Sequence, residues 1–300
     1  MRMRIFDTHV HFKWWASGNY VGQNVMKRGA DGFLEALAEK AQELGMTKIA
    51  LLGNPGAKNH DALEAALQAY PDLLVGLGWL RLDEDPPGLI DEFHMRGFHG
   101  IKILGVSRNY DDEKYYRHYE KAQARGMRLL FHTGILGGPI DYLVGGAEDA
   151  WKSIPTGKDE AELVARLGRE ARGRAYGFSS ARMQPIYLDT IAFAFPELYI
   201  IGAHLGWPDY RTACAIARWR PRLYFDVSGG DVVRDHIVEG GYVKNEINPL
   251  KLTYGSDCDL DRMKHHIDAW KRAFDEMGLT EEEQDAVFYR NAARMFGFED

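Results

Sequence analysis

Two histidines one residue apart, His9 and His11 in DTHVHF, open the chemistry of this sequence. On an extended strand, side chains alternate, so residues two apart project to the same side. Two imidazoles held in this way form part of a clamp for Zn²⁺ or a similar divalent ion, provided other segments supply further ligands. An isolated His-x-His also suits two polar residues on an edge strand. Three more apolar runs end in a residue of metal-binding type: His132 in LLFHTG, His204 in IIGAHLG and Asp257 in LTYGSD. Each follows aliphatic residues and precedes a glycine or a polar loop. Burying such groups among Ile and Leu without partners costs several kcal/mol for each unpaired charge. A shared metal centre removes that cost.

Those strand ends must be brought together by the fold. Short Val/Ile/Leu-rich runs alternate with longer segments of helical periodicity, the pattern of βα units around a parallel sheet. Candidate strands cover 3–11, 48–53, 73–79, 98–104, 128–134, 198–206, 223–229 and 251–257. Eight strands close a (β/α)8 TIM barrel, an α/β fold whose active sites lie where the carboxyl ends of the strands converge. Amphipathic segments at 32–45, 60–71, 115–126 and 263–278 end at Gly45, Pro71, Gly126 and Gly278, residues that stop helices. A last helix is expected after Thr280, with Glu283 three residues on completing a capping box, and it should close the bottom or side of the barrel. The chain 1–300 reads as one barrel domain. Its rhythm breaks only at 135–183, an insertion with two glycine pairs on the catalytic side, expected to act as a lid or binding element.

Composition excludes several classes. The 300 residues are 45% hydrophobic and 27% charged, which rules out intrinsic disorder. The longest apolar runs are far shorter than the roughly 20 residues of a membrane span, so no membrane association is expected. Net charge is -7 with no basic block, which argues against nucleic acid as a partner. The amino terminus lacks a secretory h-region, and Cys214 and Cys258 form no disulfide framework, so a cytoplasmic location is expected. An aromatic content of 12% is compatible with a homodimer.

Taken together, DTHVHF, GFHGIKIL, FHTG, FPELYIIGAHLGWP and YGSDCD, in this order and spacing, resemble the amidohydrolase superfamily and, within it, the amidohydrolase 2 branch. The resemblance runs along nearly the whole chain. It implies a distorted TIM barrel with one divalent ion, Zn²⁺ first and Mn²⁺ second, held by His9, His11, His132 and Asp257. It also implies catalytic roles for Asp257, as acceptor of a water proton, and for His204, as an acid/base beside the metal.

Lys102 lies in GIKIL between two isoleucines, so alternation points it into the barrel. A buried lysine needs a carboxylate or an anionic ligand. Three roles stay open: binding a substrate carboxylate, a structural ion pair, or a carboxylated lysine bridging two metals as in some superfamily members. Further substrate-binding candidates are Trp79 and Arg81 after the third strand, Trp14 and Trp15 after the first, and Arg182 in the insertion. Arginine grips carboxylates and tryptophan covers flat substrates, while surface ion pairs and packing are the alternatives. Asn54 and Asp226 read as structural, capping turns. His60, His94, His118, His236, His265 and His266 read as surface residues, and His99 as a packing residue.

Two reactions fit this constellation. The first is hydrolysis of a C-N or C-O bond in a small carbonyl compound such as an amide, cyclic amide or lactone. The second is non-oxidative decarboxylation or hydration of an aromatic or unsaturated acid, which the same branch includes. The branch's decarboxylases often carry a proline soon after His-x-His and an aromatic-proline pair after the last aspartate. This chain reads HFKWW and SDCDLD, and leans to hydrolysis. A barrel that binds metal without catalysing anything is the third reading, and the full set of ligand types argues against it.

Overall fold

Alternation within each apolar run gives every strand two faces, and a closed ring of strands turns one inward and one toward the helices. The computed structural model describes residues 3–13, 29–136, 157–158, 160–162, 165 and 179–298. Its strands are β1 (Ile5–His11), β2 (Met46–Leu52), β3 (Leu74–Leu80), β4 (Gly100–Ile103), β5 (Arg128–Phe131), β6 (Ile200–Gly202), β7 (Leu223–Asp226) and β8 (Leu252–Thr253). All pair in parallel, in chain order from β1 to β8. Each expected strand is present at its expected place.

The helices between them are α1 (Gly29–Leu44), α2 (Ala57–Ala69), α3 (Leu89–Met95), α4 (Tyr116–Ala124), α5 (Tyr187–Ala194), α6 (Tyr210–Trp219), α7 (Gly230–Glu239) and α8 (Met263–Glu276). The protein is a TIM barrel. It is distorted where β8 is only two residues long. There the ring is drawn together by single hydrogen bonds: Thr8 N–H donates to the Tyr254 carbonyl at 2.9 Å, and Asp257 N–H to the His9 carbonyl at 2.8 Å. Thr8 Oγ1–H adds a second bond to the Tyr254 carbonyl at 2.8 Å.

The core follows the two faces. Phe6, Ala50, Leu52, Val75, Leu77, Leu130, Ile201 and Ala203 pack inside the ring, while Ile49, Leu51, Ile101, Ile103, Leu129, Phe131 and Ile200 pack against the helices. Each fully buried Leu, Ile, Val or Phe among them contributes roughly 1.5–3 kcal/mol. The carboxy-terminal segment runs α9 (Glu281–Asp285), a π-helical turn (Ala286–Arg290) and α10 (Asn291–Phe296). Its capping box forms as expected: Glu283 N–H donates to Thr280 Oγ1 at 3.2 Å and Thr280 N–H to Glu283 Oε2 at 2.8 Å. Met295 and Phe296 then plug the amino-terminal end of the barrel, with the Phe296 ring 5.3 Å from that of Phe6.

No helix among the described residues is long and apolar enough to cross a membrane. Most of the 135–183 insertion, together with Trp14 and Trp15, lies outside the described residues.

Candidate metal centre

His9 and His11 leave β1 at its carboxyl end with ring centroids 5.3 Å apart. Asp257 follows β8, in a left-handed conformation (φ 43°), and turns its carboxylate toward both. Its Oδ1 lies 3.5 Å from His11 Nε2 and 3.8 Å from His9 Nε2, and its Oδ2 lies 3.9 Å from His204 Nε2. Buried Asp7 ties the strand ends in place: its Oδ1 accepts from His9 N–H at 3.0 Å and Ser256 N–H at 2.9 Å. Gly255 permits the approach, because a Cβ there would come within 2.9 Å of His9 Cβ and 3.2 Å of Asp226 Cγ.

The β6 histidine sits on a tight turn in which His204 and Leu205 both adopt positive φ, 59° and 43°. Its ring lies 5.5 Å from that of His9 and 5.1 Å from that of His132. His132 leaves β5 with its backbone N–H bonded to the Ile103 carbonyl at 2.9 Å. Its Nε2 is buried and has no hydrogen-bond partner. Lys102 on β4 is 1% exposed, and its Nζ stands 3.4 Å from His9 Nε2. These groups line a cavity of about 380 Å³ whose remaining wall is mostly apolar: Leu104, Ile135, Leu136, Trp207, Val232 and Val233.

Burial sets the protonation states. It holds His11 down to about 3 and His204 to about 4, and His132 well below the usual imidazole value, so these rings are neutral near pH 7. Burial alone would raise the Asp257 carboxyl, but His9, His11, His204 and Lys102 together hold it well below the usual carboxylate range. Burial lowers Lys102 to about 8, which keeps it mostly cationic at neutral pH. Neutral imidazoles beside an ionised carboxylate are the donor states that a divalent cation requires.

His9, His11 and Asp257 present ligand atoms that all lie within 4.8 Å of one another. His132 lines the same cavity outside that compact group, and its orphaned Nε2 is the kind of buried donor that a metal satisfies. The residues present fit a divalent ion.

A family model described as amidohydrolase matches residues 6–298. This chain belongs to the amidohydrolase family. The family is metal-dependent. No curated protein matches the sequence. Among solved structures, a TIM-barrel protein from Bordetella bronchiseptica is similar at 14% identity and TM-score 0.66, covering 98% of this chain and 99% of its own. A probable 2-pyrone-4,6-dicarboxylic acid hydrolase from Acinetobacter baumannii, with citric acid bound, is 16% identical at TM-score 0.60, covering 99% and 100%. A dihydroxybenzoic acid decarboxylase from a Polaromonas species, with bound manganese and an inhibitor, is 16% identical at TM-score 0.59, covering 98% and 96%. Similarity at this level shows a shared fold, on which hydrolases and decarboxylases both occur.

Five of the residues singled out in the sequence, His9, His11, His132, His204 and Asp257, meet around one cavity with Lys102. Trp79, Arg81 and Arg182 are not on its wall. Arg81 is turned away by its own neighbours: Glu84 and Asp85 take its guanidinium at 2.5 and 2.7 Å, the surface ion pair that was its alternative. Trp79 is half-buried, and its carbonyl lies 3.2 Å from His60 Nε2. Arg182 ends a 3-10 turn (Ser180–Arg182), and its carbonyl accepts from Tyr110 N–H at 3.3 Å. Trp14 lies outside the described residues.

Asp226 corrects the expectation of a turn cap with no part in the site. Fully buried at the end of β7, it accepts from His9 Nδ1–H at 2.8 Å and so aims His9 Nε2 into the cavity. Three histidines expected at the surface are buried, because helical periodicity places them on inward faces. His60 Nε2 meets the Trp79 carbonyl at 3.2 Å, His118 Nε2 the Asp85 carbonyl at 2.9 Å, and His266 Nδ1 the Tyr254 hydroxyl at 2.9 Å. Asn54 is buried, and its Nδ2 donates to the Phe12 carbonyl at 3.1 Å, a tie between the segments after β1 and β2 and not a turn cap. Sequence reasoning missed Ser228 and the apolar wall. The D-x-S-G-G pattern after β7 was the available signal for the first, and the apolar residues carried none.

Proposed function

We propose that this protein is a metal-dependent hydrolase that opens a C-N or C-O bond in a small carbonyl compound carrying a carboxylate. One observation carries the reading: the ionised Asp257 carboxylate faces His9, His11 and His204 at 3.5–3.9 Å, in a cavity that a buried lysine also lines. His9, His11, His132 and Asp257 would hold a single ion, Zn²⁺ or Mn²⁺, which when bound lowers the pKa of water and polarises a carbonyl. Asp257 accepts the proton of the attacking water at a carboxylate oxygen. His204 directs Nε2 into the same space and exchanges a proton with the reacting group. Lys102 Nζ binds the substrate's carboxylate, and the apolar wall excludes bulk water.

The same wall supports a second reading, decarboxylation of a flat aromatic or unsaturated acid, because such a ring packs against Leu104, Trp207 and Val233. A panel of lactones, amides and aromatic acids in ¹⁸O-water separates the two. Product labelled with ¹⁸O supports hydrolysis; carbon dioxide release without incorporation of the label overturns it in favour of the lyase.

A further inference from the structure

Ser228 does not line the cavity, yet it joins both histidines that do their work at opposite sides of Asp257. Its Oγ contacts Asp226 Oδ1 closely and lies 2.8 Å from His204 Nδ1. We propose that Ser228 is a positioning residue that locks His204 in the tautomer with hydrogen on Nδ1, so that His204 meets its reactant as a proton acceptor at Nε2.

The assignment follows from counting hydrogens. Asp226 is acceptor-only: Oδ1 receives the backbone N–H of His204 at 2.9 Å and of Ser228 at 3.0 Å, while Oδ2 receives His9 Nδ1–H at 2.8 Å. Two oxygens in contact need a hydrogen between them, and only the Ser228 hydroxyl can supply it. A hydroxyl has one hydrogen, so toward His204 the same oxygen can only accept. His204 Nδ1 therefore carries the proton, and the Nε2 lone pair points at the cavity.

Backbone geometry keeps this arrangement. Gly229 follows Ser228 at φ 106°, and a Cβ there would lie 2.7 Å from Val233 Cγ2 and 3.2 Å from His204 Nδ1. One carboxylate thus orients two rings, His9 directly and His204 through Ser228. The order of proton transfer follows. The His204 Nε2 lone pair first takes a proton from a substrate O–H or N–H, forming an imidazolium that keeps its Nδ1–H. It returns that proton to the leaving nitrogen or oxygen in hydrolysis, or to the carbon that loses carbon dioxide in decarboxylation, which restores the starting tautomer. This inference holds for either reaction above.

Selective ¹⁵N-histidine labelling of the full chain, metal-free and reconstituted with Zn²⁺, tests it, with His204 assigned through His204→Gln. The wild type should show His204 Nδ1 in the protonated range and Nε2 in the unprotonated range. Ser228→Ala should move both toward tautomer averaging and lower kcat roughly 10- to 100-fold, with KM and metal content within about twofold. Ser228→Thr, which keeps the hydroxyl, should retain the wild-type pattern. A wild-type His204 protonated at Nε2 overturns the proposal whether or not the variants fold, and an unchanged tautomer in Ser228→Ala overturns the role of Ser228.

Discussion

Asp257 and His9 are joined twice: the Asp257 main-chain N–H donates to the His9 carbonyl at 2.8 Å, and the Asp257 carboxylate stands 3.8 Å from His9 Nε2. The barrel seam and the centre of the site are thus one structure. The backbone bond places the acid, and the acid then faces the imidazoles without depending on a flexible loop.

Asp257→Asn should keep the fold, since asparagine tolerates the left-handed backbone at this position. Turnover should fall by roughly 10²- to 10⁴-fold, the usual contribution of a general base. Steady-state kinetics beside a thermal melt check this. A near-normal rate places the proton acceptor elsewhere.

His132→Ala should lower metal content together with activity. The apo protein should lose little from losing the imidazole's polar contact, because the Nε2 it removes has no partner. Elemental analysis of purified variant and wild type gives the occupancy, and full occupancy in the variant takes His132 out of the ligand set.

Lys102→Met separates the three roles open for that side chain. If Lys102 binds the substrate's carboxylate, KM for acid substrates should rise roughly 10- to 100-fold, as expected for loss of a charge-assisted bond. Metal stoichiometry should stay unchanged. Loss of metal instead indicates a carboxylated lysine, and unchanged KM with lowered stability indicates a structural pair.

His266 makes stability fall in acid. Burial holds it at about 4, against a usual value near 6.5, so between those values the unfolded chain binds the proton that the folded one refuses. Its contribution is intact above pH 6.5 and is lost as pH drops toward 4, by up to about 3 kcal/mol. His266→Gln should flatten that part of the denaturant-derived stability curve. A curve parallel to wild type between pH 4 and 6.5 would refute the assignment.

Much of this molecule was legible in its sequence because the information was local. Apolar runs of fixed period announced every strand, and His132, His204 and Asp257 each stood at the end of one. Asp226 was misjudged for the opposite reason: its partner His9 lies 217 residues away, and only the barrel brings them together. Arg81 is the local counter-example: its fate was decided by acids three and four residues on, which compete with any substrate and were readable as its surface ion-pair alternative. His60, His118 and His266 show that polarity alone says little about exposure when a backbone carbonyl or a tyrosine hydroxyl waits inside.

The aromatic plug under the barrel has one more implication. With Phe296 set against Phe6 and Met295 beside them, buried side chains fill the floor of the barrel. Reactant and product must use the same doorway at the opposite end, so whatever covers that doorway governs the traffic in both directions.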